Sequence, residues 1–301
     1  MIDYLDSDVA YLLGLIVTRG QLVDEPPLRR LVITLPFRNL TVKGVKTEFD
    51  QKTQLRLGAA EISDRVSEVL GAHVSVIPGT NRISLTALFP TNAMVWRNLA
   101  FLLEGKKSYK EFQIPMPILS SSPDIQKEFI RGVVDGSGWV EPGTYYRSES
   151  RGKRRVFIAI DNSNWALPVQ LCALMQTSLK VPVGEILWGH PNLRDPKCKY
   201  PKREALREHQ LRVFCEAFQQ IGFSLDYKNA ILNEFVEEDL KARDMPKQIS
   251  HHYLGKKHKQ RPKAKHPQER STKLPPKIRG KHYDYFWQIC QDMGCNQTSP
   301  P

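Results

Sequence analysis

The sequence predicts an α+β protein of two pseudo-symmetric αββαββα units, each with a curved antiparallel sheet and helices on one face, plus a basic C-terminal extension. Three observations predict it. An apolar helix end with small residues on one stripe occurs twice, at residues 12–20 and 130–138, about 118 positions apart. The same order of strands and helices follows each copy, a duplication of architecture without obvious duplication of sequence. The strands alternate polar and apolar residues, as strands with one solvated face do.

The elements follow in order. Residues 6–20 read as a helix with Ser7 or Asp8 as N-cap and Gly20 at its end. Residues 29–38 alternate as a strand, with Leu31, Ile33, Leu35 and Phe37 toward the core and Arg30, Thr34 and Arg38 on the other face. A helix over 57–70 stops at Gly71. Strands at 74–76 and 83–89 flank the turn Pro78-Gly79-Thr80-Asn81. Thr91 then caps a helix through Leu103, with Ala93, Trp96, Ala100 and Leu103 on one side. In the second unit, 155–160 is a strand, 165–179 a helix, 184–188 a strand and 205–209 a further strand. Helices follow at 211–221 and 227–240. Three regions result: 1–110, 111–245 and a basic tail, 246–301, ending in an aromatic helix around Tyr283-Asp284-Tyr285-Phe286-Trp287.

The two helix ends read Leu12-Leu13-Gly14-Leu15-Ile16-Val17-Thr18-Arg19-Gly20 and Ile130-Arg131-Gly132-Val133-Val134-Asp135-Gly136-Ser137-Gly138. Gly14 and Thr18, like Gly132 and Gly136, are four apart and share a helix face. Glycine has no Cβ to hold a neighbouring helix away, so this stripe is where two helices can meet closely.

These segments resemble the paired motifs of the LAGLIDADG homing endonucleases, whose single-chain members carry two copies in one pseudo-symmetric molecule. The entry to the second copy is similar as well: Phe112-Gln113-Ile114-Pro115, Ser122-Pro123, then Gln126-Lys127-Glu128-Phe129-Ile130-Arg131-Gly132. Residues 157–179 and 206–223 are similar to the segments that follow it, and the resemblance covers roughly 1–240. It implies two saddle-shaped sheets along a DNA duplex and Gly14, Thr18, Gly132 and Gly136 at the shared helix interface. It also implies an acid at the eighth motif position of each helix, holding the divalent metal used in cutting. Those positions hold Arg19 and Ser137, and the sixth positions hold Val17 and Asp135.

Metal-assisted phosphodiester hydrolysis needs hard oxygen ligands beside the scissile phosphate. Arg19 brings a permanent positive charge and Ser137 a neutral hydroxyl, so the expected site is degenerate. No cofactor is expected, and Mg²⁺ only if the chain cuts DNA. Arg19 either forks onto a DNA phosphate or relieves the helix dipole. Asp135 is a capping or packing residue, or a residual single metal ligand. Asp24, Glu25 and Asp161 are the other acids near the motif ends, and none recurs in both halves.

The open sheet faces carry the candidate DNA contacts, since a two-stranded ribbon fits the major groove. In the first unit these are Arg30, Thr34, Arg38, His73, Ser75, Arg82, Ser84 and Thr86; in the second, Arg147, Arg151, Lys153, Arg155 and Arg207. The net charge of +12 is local. Residues 241–282 hold 14 Lys or Arg against 2 Asp or Glu, and the rest of the chain holds 30 of each sign. Lys256, Lys257, Lys259, Arg261, Lys263 and Lys265 are therefore expected on the phosphate backbone.

Five scattered cysteines suggest reduced thiols. Cys290 and Cys295 with His251 and His252 lack the paired spacing of zinc sites. No apolar run is long enough for a membrane span, and the acidic N-terminus is unlike a signal peptide. The expectation is a cytoplasmic, nucleoid-associated monomer that binds double-stranded DNA as a recognition or regulatory factor without cutting it, with a separate nuclease or another protein as a possible partner. The alternatives are an active metal-dependent endonuclease with non-standard acids, using Asp135, and an RNA-binding splicing helper of the maturase kind. A transcription regulator similar to the sporulation-control proteins with a degenerate version of this fold is a further option, though no helix-turn-helix pattern follows residue 245.

Overall fold

The computed structural model describes residues 5–25, 28–42, 47–141, 154–191 and 207–244. The predicted basic loop at 147–153 and the whole tail, with its lysines, cysteines, histidines and aromatic helix, lie outside the described residues.

Helix α1 spans Ser7–Arg19 and is capped by Asp6, whose carboxylate accepts the N–H groups of Asp8 and Val9, rather than by Ser7 or Asp8. Gly20 ends the helix and also begins strand β1, Gly20–Glu25, with no intervening loop. Gly138 does the same between α6, Pro123–Ser137, and β5, Gly138–Glu141. Both glycines have extended backbone, and a Cβ on either would sit 2.7–2.8 Å from the carbonyl oxygen four residues back. These two short strands are absent from the sequence-based reading because the chain turns directly out of a helix, with no turn residues to announce them.

Between them, β2 covers Leu28–Pro36, α2 Phe37–Leu40, α3 Gln51–Leu70, β3 Val74–Pro78, β4 Arg82–Pro90, α4 Met94–Leu102 and α5 Met116–Leu119. Three expectations need correction. Phe37 and Arg38 leave the sheet in the helical turn α2, because the partner strand begins at Arg82, opposite Pro36; only the Phe37 N–H reaches past it, to the Asn81 carbonyl at 3.0 Å. Helix α3 begins six residues before Leu57, at an Asp50 cap that accepts the Thr53 N–H. Thr91 does not cap α4; the helix starts at Met94, and the Thr91 carbonyl accepts from Arg29 instead. Gly71 ends α3 with φ 56°, a left-handed conformation that glycine adopts without steric cost.

In the second unit, β6 is Arg155–Asp161, α7 Ala166–Ala173 (continued by a π-helical turn, Leu174–Ser178), and β7 Val183–Pro191. Strand β8, Arg207–Phe214, takes in the strand expected at 205–209 and runs on through residues 211–214, expected as the start of a helix; only Cys215–Phe218 is helical, as α8. In β8, Leu211 and Val213 point inward and Arg212 and Phe214 outward, and the strand is central, paired to β6 on one side and β7 on the other. A short apolar run suits either period, and two strand partners decide it. Helix α9, Asp226–Asp244, completes the body.

Both sheets are four-stranded and antiparallel with the same order, β1-β2-β4-β3 and β5-β6-β8-β7. The duplicated order predicted from sequence is therefore a duplicated topology. Leu31, Ile33 and Leu35 of β2 and Leu85, Ala87 and Phe89 of β4 face inward; so do Ile158 and Ile160 of β6. Together with α1 and α6 they form one contiguous buried cluster across both units.

Candidate nucleic-acid interface

Helices α1 and α6 meet backbone to backbone. A Cβ on Gly14 would lie 2.1 Å from the Phe129 carbonyl oxygen, and one on Gly132 would lie 2.0 Å from that of Tyr11. Gly136 is looser, with Leu15 Cδ2 at 3.1 Å and the Thr18 hydroxyl at 3.6 Å from an added Cβ. Thr18 turns its hydroxyl back onto the Gly14 carbonyl at 3.0 Å, which satisfies it inside the buried seam. The seam is tied by Tyr11, whose hydroxyl donates to Asp135 at 3.0 Å. Arg65 of α3 straps it from outside, bonding Asp8, Glu128 and Ser224 and lying 3.8 Å over the Tyr11 ring.

The C-terminal ends of these helices carry the chemistry. Ser137 is fully buried and donates to the carbonyl of Val133 in its own helix at 2.6 Å. The Arg19 guanidinium crosses the seam to the carbonyls of Gly136, at 3.2 Å, and Ala159, at 3.3 Å. Asn39 donates to the same Gly136 oxygen at 2.9 Å. On the far side, the buried Lys228 ammonium donates to the carbonyls of Asp135 at 3.1 Å, Gly138 at 3.2 Å and Val134 at 3.4 Å. Helix ends carry partial negative charge on such carbonyls, and cations there are favourable. Two side-chain cations therefore occupy the end of α6. Burial, and then the neighbouring charge of Arg38, lower the Arg19 guanidinium to about 10, still protonated at neutral pH.

The donor set does not suit a divalent metal. A metal there would face two fixed cations, and the acids nearby are already engaged. Glu208 pairs with Arg38 at 2.8 Å, a largely buried bond between the two units. Asp161 accepts from the Ser163 N–H and hydroxyl. Asp24 and Glu25 pair with Arg29 and Arg30. Asp135 points away from the helix ends, toward Tyr11 and the backbone N–H of Ser224. Among the described residues no group of three or more His, Cys, Asp and Glu could hold a metal ion.

The outward faces of the two sheets differ. On the first, register rows run Thr34–Ser84–Ile77, Val32–Thr86–Ser75 and Arg30–Leu88, with Arg82 at the end opposite Pro36. His73 is exposed just before β3. On the second, one row holds Trp139, Phe157, Arg212 and Glu185, and the next Glu141, Arg155 and Phe214. Trp139 stacks on Phe157 at 5.5 Å; Arg212 covers Phe157 and Arg155 covers Phe214. Glu185 bonds both arginines. Arg207 is exposed at the end of β8 and donates to the Gly189 carbonyl at 2.9 Å. Arg38 lies on neither sheet face; its guanidinium is held by Glu208.

Two glycine-bearing helices pack together, and each runs without a loop into the edge of a sheet of identical order. The fold is LAGLIDADG-like. The sequence matches no family model and no curated protein. Among solved structures it is similar to full-length DUF199/WhiA from Thermatoga maritima, with 13% identity and a TM-score of 0.43, covering 82% of this chain and 64% of that one. The chain thus spans less than two thirds of that protein's length. It is also similar to I-DmoI in complex with DNA and Ca, at 17% identity and a TM-score of 0.40, covering 76% of this chain and 98% of that one. A third similarity is to the N-terminal LAGLIDADG domain of DUF199/WhiA, at 11% identity and a TM-score of 0.37, over 83% and 86% of the two chains.

Sequence reasoning did not single out Lys228, Asn39, Glu208 or Arg65. Lys228 left a signal: it stands on the apolar stripe of α9 with Ile231, Leu232 and Phe235. A lysine inside a core stripe implies a buried acceptor set. Glu208 and Arg38 lie 170 positions apart, and no local pattern links them.

Proposed function

We propose that this chain binds double-stranded DNA sequence-specifically and does not cut it, acting as a recognition or regulatory factor. The observation that carries the proposal is the pair of cations, Arg19 and Lys228, on the carbonyls that end α6, where the family resemblance leads one to expect acids and a metal. With those cations in place the seam keeps its geometry without a divalent ion, so the two sheets remain a fixed saddle. Sheet ribbons of the length of β2 and β4, nine residues each, suit a major groove. The basic tail supplies the phosphate attraction that the neutral body lacks. No described helix is long and apolar enough to cross a membrane.

The test is selection of bound duplexes from a random library, with and without Mg²⁺ or Mn²⁺, followed by incubation of a plasmid carrying the selected site. Metal-independent binding and an uncut plasmid are expected. A reproducible linear product overturns the non-nuclease reading, and preference for a structured intron RNA over any duplex replaces DNA as the partner.

A further inference from the structure

On the outward face of the first sheet the groups that can fork onto guanine or adenine stand at the margins: Arg82 where β4 begins, and Gln21, exposed on the edge strand β1 beside Val32. The one central arginine, Arg30, is bonded to Glu25 at 2.8 Å. Between these margins the face offers aliphatic groups interleaved with hydroxyls. Val23 and Leu88 flank Arg30 in one register row, and Val32 and Thr86 stand side by side in the next. Ile77 lies in the row of Thr34, on the edge strand. Leu88 and Ile77 are 51% and 55% exposed, far more than a sheet face covered by its own protein would allow.

In the major groove, arginine forks select guanine and amide forks select adenine, whereas serine and threonine hydroxyls accept either partner. The remaining discriminating group is the C5 methyl of thymine, which apolar side chains and threonine methyls contact. Strands β2 and β4 pair along their whole length, Leu28↔Pro90 to Pro36↔Arg82, so the rows that carry these groups share one continuous two-stranded ribbon. At about 3.3 Å per residue it is roughly 30 Å long. The second sheet differs, since its aromatic rings are already covered by Arg155 and Arg212.

We propose that the first sheet reads an A·T-rich half-site through thymine methyls, with Val23, Val32, Leu88 and Ile77 as the specificity-determining side chains, and that the second sheet does not. The inference rests on the duplex-binding reading given above.

The test uses the full chain and a selected duplex in which deoxyuridine replaces thymine in one half at a time, deleting only the methyls. Each contacted methyl is worth about fourfold in affinity, so two or three substitutions in the half under the first sheet weaken binding tenfold or more. The other half responds little. Leu88→Ala, at an exposed position, shrinks the deoxyuridine penalty in the sensitive half. Retained duplex binding with no deoxyuridine effect, an equal effect in both halves, or a penalty unchanged in Leu88→Ala overturns this inference and leaves duplex binding standing. No binding to any duplex overturns both.

Discussion

The Tyr11 hydroxyl donates to Asp135 Oδ2 at 3.0 Å, joining the two seam helices through a carboxylate with no solvent exposure. The same oxygen accepts the Ser224 N–H at 3.1 Å, so α1, α6 and the turn before α9 converge on one acid. Burial raises the Asp135 carboxyl to about 6, against the opposing pulls of Lys228 and of these hydrogen bonds. Asp135 thus organises packing, at the motif position next to the glycine stripe.

Its titration opposes that of His209. The folded state binds the Asp135 proton more tightly than the unfolded chain does, so stability is gained as pH falls from about 6 toward 4. Burial lowers His209 to about 4 from 6.5, so its contribution is present above 6.5 and is lost as pH falls toward 4. Between pH 7.5 and 5 each is worth about 1–2 kcal/mol, with opposite sign. Glu61, raised to about 7 by burial and by the Asp135 charge, acts in the direction of Asp135. Urea unfolding at the two pH values checks this. Relative to wild type, Asp135→Asn should lose stability on acidification, while His209→Gln gains it; parallel pH dependence in all three proteins would rule the assignment out.

The glycine stripe makes a contrast within one motif. Gly132→Ala drives a methyl to 2.0 Å from the Tyr11 carbonyl oxygen, and Gly14→Ala one to 2.1 Å from that of Phe129. Backbone cannot step aside, so each should cost about 3 kcal/mol or more. Gly136→Ala meets only the end of Leu15, and alanine's helix propensity returns about 1 kcal/mol. Thermal melts should therefore rank Gly136→Ala near wild type and the other two far below it.

Placing acids at the eighth motif positions is the intuitive route to metal binding, and the structure argues against it. A carboxylate from Ser137→Asp enters a fully buried site at the helix end whose Val134, Asp135 and Gly138 carbonyls already hold the Lys228 ammonium, and is expected to pair with that ammonium rather than with an ion. Isothermal calorimetry of Arg19→Asp/Ser137→Asp should show no Mn²⁺ uptake. Adding Lys228→Met removes the competing cation, and only that triple variant is expected to bind metal. Uptake by the double variant would mean that Lys228 does not control the site.

The seam was legible because close helix approach demands small residues at fixed spacing, and Gly14 and Gly132 stand where that demand is strictest. Inward faces were legible for the same kind of reason: Leu31, Ile33 and Leu35 recur at every second residue, with Arg30 and Thr34 on the other face. Strand β8 was not, because Leu211 and Val213 suit a helix equally until β6 and β7 flank them. The residues at the eighth motif positions, Arg19 and Ser137, could be read directly, but which cations stand on the carbonyls ending α6 depends on Lys228 arriving from a helix some 90 positions away. Long-range partners of this sort leave no local spacing to detect.

The division of labour between body and tail gives the last expectation. Outside residues 241–282 acids and bases balance at 30 each, so the sheets attract a polyanion weakly on their own. Each phosphate neutralised by lysine or arginine adds about −0.9 to the slope of log affinity against log salt. Deleting residues 246–301 should therefore flatten that slope by several units and weaken binding to every duplex alike. In the proposed reading the side chains that read base edges lie on the sheets, so the ratio between selected and random duplexes should survive the deletion. Fluorescence anisotropy titrations from low to physiological salt measure both quantities. An unchanged slope would take the tail off the phosphate backbone, and a lost ratio would move sequence reading from the sheets to the tail.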